Sequence, residues 1–269
     1  MHTHILVGNK MQDLDEDAVY ANFKSLPSTE ENLQEAHMWS KSDHAFKNAF
    51  DRLVSNPEWM QPIRFKVEFL KNIDNISCYA VRKGLFDQPD QPVSELDVQS
   101  ILAGVAIYEN DIEILQKISE LVEKLACTRQ TPFSRENSNL IGRLGGIQGF
   151  VSILEKYPAP WRSDYAYKMP EFELHKITCK ALDKLFVYSD HNRHIFVNMN
   201  GIEILARIDK LGGQYYDAEC RAPSYVAALW KVLPGFGWFS GNAGSDTNRL
   251  KNQQTKKRIE EAYRRHYHY

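Results

Sequence analysis

The sequence predicts an all-α fold assembled from stacked helical repeats, and three observations predict it. Apolar residues recur at spacings of three and four along most of the chain, without sustained period-two alternation. Two segments match at a constant offset: Asn137, Ile141, Gly146 and Ile147 are answered by Asn192, Phe196, Gly201 and Ile202, each 55 positions later. Both segments read as a short helix, a glycine-centred sharp turn and a longer helix. Glycine suits that bend because helices meeting steeply need close backbone approach or a positive φ.

Each element follows from local pattern. Residues 1–30 form a polar, acidic segment open to flexibility, ending at Pro27-Ser28-Thr29-Glu30, where Ser28 or Thr29 suits a helix N-cap. Ala45, Phe46, Phe50 and Leu53 define a helix near 43–55 that ends before Asn56-Pro57. Pro62 is placed at the start of the next helix, which carries Phe65, Val67, Phe69, Leu70 and Ile73, and a further segment spans 76–86. Ser94 caps a helix with Val98, Ile101, Leu102 and Val105, and Ile112 to Leu125 forms a long amphipathic helix. The matched segments follow, separated by a Pro/Trp/Tyr-rich loop over 157–170 and a helix carrying Phe172, Leu174, Ile177, Leu182 and Leu185. A helix near 223–233 precedes the glycine-rich stretch 234–245, and a polar helix occupies about 248–265. The domain reading is a repeat domain over 31–247, flanked by segments 1–30 and 248–269.

The order Asn137 to Phe150 followed by Ala181 to Leu185, and again Asn192 to Leu205 followed by Ala228 to Val232, resembles the armadillo repeat family. The resemblance spans 137–233 clearly and 43–126 only through the third-helix pattern. It implies a right-handed superhelical solenoid of about four three-helix repeats, binding of extended peptides or other proteins in a concave groove lined by the third helices, and no catalysis. In that family an asparagine two places after the third-helix leucine holds the peptide backbone. The aligned positions here are Asn72, Lys124, Lys184 and Lys231. Only the first keeps asparagine, so the usual grip on a peptide backbone does not carry over. The three lysines suggest instead a positive ladder for an acidic or phosphorylated segment, beside the plainer account that lysine suits a solvent-facing helix position. Trp161, in the 157–170 loop, is a candidate aromatic anchor or a structural residue, and Trp230, Phe236, Trp238 and Phe239 suit the capping of an exposed solenoid end.

Other chemistry is weakly represented. A net charge of -2 gives no overall field to attract nucleic acid, and the basic run Lys256-Lys257-Arg258 is followed by Glu260 and Glu261. No apolar stretch reaches the roughly 18 residues of a membrane helix, and the opening MHTHILVGNK is too short an apolar run for a signal peptide. The four cysteines are widely spaced with no CxxC pair, which points to a reducing compartment, cytoplasmic or nuclear. Gly8-Asn9-Lys10 lacks the aspartate and the phosphate loop of a GTPase, Asp13, Asp15 and Asp17 lack the glycine and glutamate of a calcium loop, and His191 with His194 lacks a third ligand. No cofactor, metal or catalytic residue is expected. The partner expected is another protein or peptide segment, and the oligomeric state stays open. Alternatives are a structural subunit of a larger assembly and an enzyme on a helical scaffold.

Overall fold

The computed structural model describes residues 15–83, 89, 91–157, 170–213, 257, 258, 261, 262 and 264. Among them stand eleven α-helices and no strand. The chain divides into two compact units between Lys71 and Asn72, within the stretch 31–247 that the sequence suggests as one repeat domain.

The first unit holds α1 (Glu16–Ser25), α2 (Glu30–Trp39), α3 (His44–Val54) and the start of α4 (Pro57–Ala80). Helix α1 lies inside the polar segment 1–30. It forms because the Asp15 carboxylate accepts from the Asp17 N–H at 3.0 Å as an N-cap, and because Val19 and Phe23, one turn apart, are both buried. They join Ala36, Phe46, Ala49, Leu53, Trp59 and Ile63 in one core. Arg52 locks the rim: it donates to Asp17 at 2.7 Å and Glu16 at 3.3 Å, and its guanidinium lies 4.2 Å from the centre of the Tyr20 ring. Of the acidic run that imitates a calcium loop, Asp15 therefore caps a helix and Asp17 pairs with arginine, while Asp13 lies outside the described residues.

Two expectations about α4 are corrected. The helix starts at Pro57, where Asn56 Oδ1 accepts from the N–H groups of Glu58 and Trp59 at 3.1 and 3.2 Å, and Pro62 lies inside it. Proline there forgoes one early backbone bond, which the burial of Trp59 and Ile63 on either side offsets. The segment expected over 76–86 is the continuation of α4 to Ala80, because Ile73, Ile76 and Ala80 prolong the buried stripe.

The second unit contains α5 (Glu95–Ile107), α6 (Ile112–Leu125), α7 (Ser134–Arg143), α8 (Gly146–Lys156), α9 (Pro170–Val187), α10 (Asp190–Asn198) and α11 (Gly201–Gly213). Ser94 caps α5 as expected, accepting from the Asp97 N–H at 3.1 Å. Helix α6 packs along α9, α8 against both α5 and α11, and α7 against α10. The two matched segments agree at the atomic level. A left-handed residue makes each bend: Gly145 at φ 96°, and Asn200, 55 positions later, at φ 59°. The glycine that follows serves a different need. A Cβ on Gly146 would fall 2.4 Å from the Ile141 side chain, and one on Gly201 would fall 2.4 Å from the Phe196 ring. Glycine is therefore required for close approach, while asparagine, tolerant of the left-handed region, suffices at the second bend.

The matched asparagines carry the same task in both segments. Asn137 is fully buried; its Nδ2 donates to the Leu125 carbonyl at 2.9 Å and its Oδ1 accepts from the Val93 N–H at 3.1 Å. Asn192, also fully buried, donates from Nδ2 to the carbonyls of Leu185 and Ser138, both at 3.0 Å. Each amide thus closes the last turn of the long helix before it, whose terminal carbonyls have no partner within the helix. The expected helix over 223–233, the stretch 234–245 and the aromatic cluster at Trp230, Phe236, Trp238 and Phe239 lie outside the described residues. From the C-terminal segment, Arg258 donates to the Val197 carbonyl at 3.1 Å and Ala262 is buried, so part of that polar helix packs against the fold.

Two glycines on neighbouring helices separate space from propensity. A Cβ on Gly142 would lie 1.7 Å from Asn192 Oδ1, whereas one on Gly149 would meet Val105 at an ordinary 3.6 Å. Gly142→Ala is expected to destabilise the protein by about 3 kcal/mol, because Asn192 must leave its two carbonyls. Gly149→Ala is expected to be neutral or to stabilise by about 0.5–1 kcal/mol through helix propensity. Urea unfolding of the two variants checks both signs.

Candidate functional site

Among the described helices, α6 and α9 share the most extensive contact. Ile114, Leu115, Ile118, Leu121, Val122 and Leu125 bury one side of α6, and Leu174, Ile177, Ala181, Leu182 and Leu185 bury one side of α9. Polar contacts set their direction. Gln116 Nε2 donates to the Pro170 carbonyl at 2.9 Å, Ser119 and Thr178 hydroxyls pair at 3.3 Å, and further on Glu123 and Cys127 lie near enough to Lys184 to raise its pKa. Both residue numbers rise together, so the helices run parallel. Outside that contact α6 carries exposed Lys117 and Lys124 with half-buried Glu120 and Glu123, and α9 carries half-buried Glu173, Lys176, Lys180, Asp183 and Lys184.

The aligned lysines meet here in part. Lys124 is exposed in the last turn of α6 and Lys184 half-buried in the last turn of α9, at the same end of the parallel pair. Lys231 and Trp161 lie outside the described residues. Asn72 is on α4, half-buried, and its Nδ2 donates to Ser100 Oγ of α5 at 3.1 Å, so its amide already has a partner within the fold. Lys176 and Lys180 escape the repeat alignment. Their signal was nonetheless legible: with Lys184 they recur every four residues, the spacing of one helix face.

The electrostatics are those of a mixed-charge face. Burial lowers the Lys184 pKa, but the hydrogen bond to Asp183 at 2.9 Å and the charges of Asp183, Cys127 and Glu123 outweigh it, leaving the ammonium above its ordinary value. Lys176 is hydrogen-bonded to Glu173 one turn earlier. The position of Lys124 and Lys184 in terminal turns also places each cation at the negative pole of its helix. Beneath the face, burial pushes the Cys179 thiol up to about 12, which leaves it protonated and unreactive. His175 is buried with its Nε2 on the Tyr157 carbonyl, and burial pulls its pKa down to about 4.

Elsewhere, Glu136, Asn139, Leu140, Arg143 and His191 line an open cleft of about 440 Å³ between α7 and α10. Among the described residues, no group of three or more His, Cys, Asp or Glu side chains is arranged to hold a metal ion, and no helix is long and apolar enough to cross a membrane. Comparison with family models, with curated proteins and with solved structures returns no match.

The buried imidazole has a pH signature. Its folded pKa of about 4 lies below the ordinary 6.5, so the unfolded chain takes up a proton that the folded chain refuses. Stability present above pH 6.5 is therefore lost as pH falls towards 4, by up to about 3 kcal/mol from this residue. His175→Gln is expected to flatten that part of the pH dependence in urea titrations between pH 7 and 4. Parallel curves for the two proteins would remove His175 from the acid response.

Proposed function

We propose that this chain is a non-catalytic protein-binding adaptor or scaffold. In this reading the helices of the second unit continue as a right-handed, armadillo-like array of three-helix repeats, and a segment of another protein lies across the polar face of α6 and α9. The parallel packing of these two long helices carries the proposal, since it sets two third-helix positions of the alignment, Lys124 and Lys184, at one end of a continuous surface. The shared bend and the shared buried asparagine of the two matched segments support the repeat architecture.

The ligand class that suits the face is an acidic or phosphorylated segment. Lys124, Lys176, Lys180 and Lys184 supply donors for charge-assisted hydrogen bonds. Glu173 holds Lys176 and Asp183 holds Lys184, so ligand oxygens would exchange with these acids, and selectivity would come from spacing more than from net charge. A cytoplasmic or nuclear setting is proposed with it, supported by the free thiols of Cys78, Cys127 and Cys179.

A library of acidic and phosphorylated peptides, screened against the full chain by fluorescence anisotropy, is expected to yield binders. These should lose about tenfold in affinity against the Lys124→Glu, Lys184→Glu, Lys231→Glu triple variant, provided circular dichroism shows it folded. Unchanged affinity would reject the ladder, and a library without binders would reject the acidic segment.

A further inference from the structure

Four cations gather where α4 and α6 end. Helix α4 stops at Ala80, and Arg82 and Lys83 follow it. Helix α6 stops at Leu125 with Lys124 in its last turn, and Arg129 lies in the connection to α7. Backbone bonds fix the two stretches to each other. The Lys124 carbonyl accepts from the Cys127 N–H at 3.2 Å, the Cys127 carbonyl from Gln130 at 2.8 Å, and the Gln130 carbonyl from Arg82 at 2.7 Å. Lys83, Lys124, Thr128 and Arg129 are exposed, and Arg82 and Gln130 are half-buried.

The fold leaves this charge largely unanswered. Elsewhere in the unit, Arg143, Lys156, Lys176 and Lys184 each hold a carboxylate. Among the described residues, none of Arg82, Lys83, Lys124 and Arg129 forms an ion pair. Arg82 Nε is enclosed by the protein and has no hydrogen-bond partner among the described residues. The C-terminal poles of α4 and α6 offset part of the charge. Each pole is worth about half a negative charge, which leaves about three positive charges uncompensated.

Charge complementarity identifies what belongs there. A carboxylate brings one charge and two oxygens, whereas a phosphoryl group brings about two charges and three strong acceptor oxygens. Two guanidinium and two ammonium groups around one turn match the second. The rest of the chain narrows the source. A membrane or a nucleic acid presents many negative charges over a wide area, and beyond the patch it would meet a protein of net charge -2. A single phosphorylated residue meets the patch alone.

We propose that Arg82, Lys83, Lys124 and Arg129 form a binding site for a phosphoryl group carried on a serine or threonine of a partner protein. The source of that phosphate rests on the adaptor reading. Lys124 belongs both to this cluster and to the α6/α9 face, so the phosphate anchors one end of a segment that continues along the two helices. Phosphorylation of the partner is then the event that starts docking.

The probe is blocked phosphoserine, N-acetyl-phosphoserine methylamide, titrated into the nitrogen-labelled full chain and followed by amide chemical shifts, with the unphosphorylated compound as control. Saturating shifts are expected at Lys83, Thr128, Arg129 and Gln130, with a Kd on the order of 1 mM. The Lys83→Ala, Arg129→Ala double variant, altered only at exposed positions, is expected to bind about tenfold more weakly with an unchanged circular dichroism spectrum. Lys117→Ala, exposed on α6 about two turns before Lys124, is expected to bind as the wild type does. Shifts scattered over unrelated lysines, or undiminished binding by the double variant, would overturn the site. Phosphatidylcholine vesicles containing a phosphoinositide, and single-stranded RNA, are tested in parallel; capture of either by the wild type but not by the double variant would overturn the partner protein as the source. Failure of the adaptor reading looks different: blocked phosphoserine still maps to the patch, while no phosphopeptide binds. Phosphopeptides that bind wild type and double variant equally would instead uphold the adaptor and overturn the site.

Discussion

Two buried amide side chains organise the second unit. Long helices α6 and α9 each have a fully buried leucine in the last turn, Leu125 and Leu185, whose carbonyl has no partner within its own helix. A buried carbonyl left unpaired costs about 1–3 kcal/mol. Asn137 supplies the missing donor at Leu125, and Asn192 supplies it at Leu185. Asparagine suits the task because it is short and neutral and offers two N–H donors from one nitrogen; a carboxylate in its place would set negative charge against a carbonyl oxygen. The next short helix is thereby attached to the end of the previous long one by a directional bond as well as by apolar contact. Gly142 follows from the same constraint, since Asn192 occupies the space that a side chain there would need.

The character of the α6/α9 face depends on that attachment. Because α7 and α10 are tied in the same way, the long helices preceding them lie parallel, and their negative poles finish on one side. Lys124 and Lys184 stand at those poles, so a structural cause for lysine and a binding use for it coincide at the same positions. The acids beside them, Asp183 and Glu123, keep the surface near neutrality. A partner that binds there must match a pattern of alternating sign.

Periodicity made most helices legible. The spacing in Ile112 to Leu125 and the Ser94 cap translate directly into α6 and α5, because burial on one side and a cap at one end are local facts of the chain. Pro62 misled for an equally physical reason. Proline is commonest in the first helical turn, and only the packing of Trp59 and Ile63 shows that the helix began earlier. Helix α1 hid in an acidic segment because two buried residues, Val19 and Phe23, are too few to make a visible stripe.

By itself the sequence determined the all-helical class, the bends at Gly145-Gly146 and at Gly201, and the correspondence of Asn137 with Asn192, since these are properties of spacing and of single residue types; that Asn200 takes the left-handed turn at the second bend came from the structure. It also placed lysine at matched positions. Only the tertiary structure decided what those residues touch: that Asn72 bonds Ser100, that Lys184 lies among Asp183, Glu123 and Cys127, and that one side of α5 faces the core while the other, equally apolar, faces solvent. The physical reason is range. Helix formation and bending are settled over a few neighbouring residues, whereas charge pairing and burial depend on chain segments dozens of positions apart that meet only on folding.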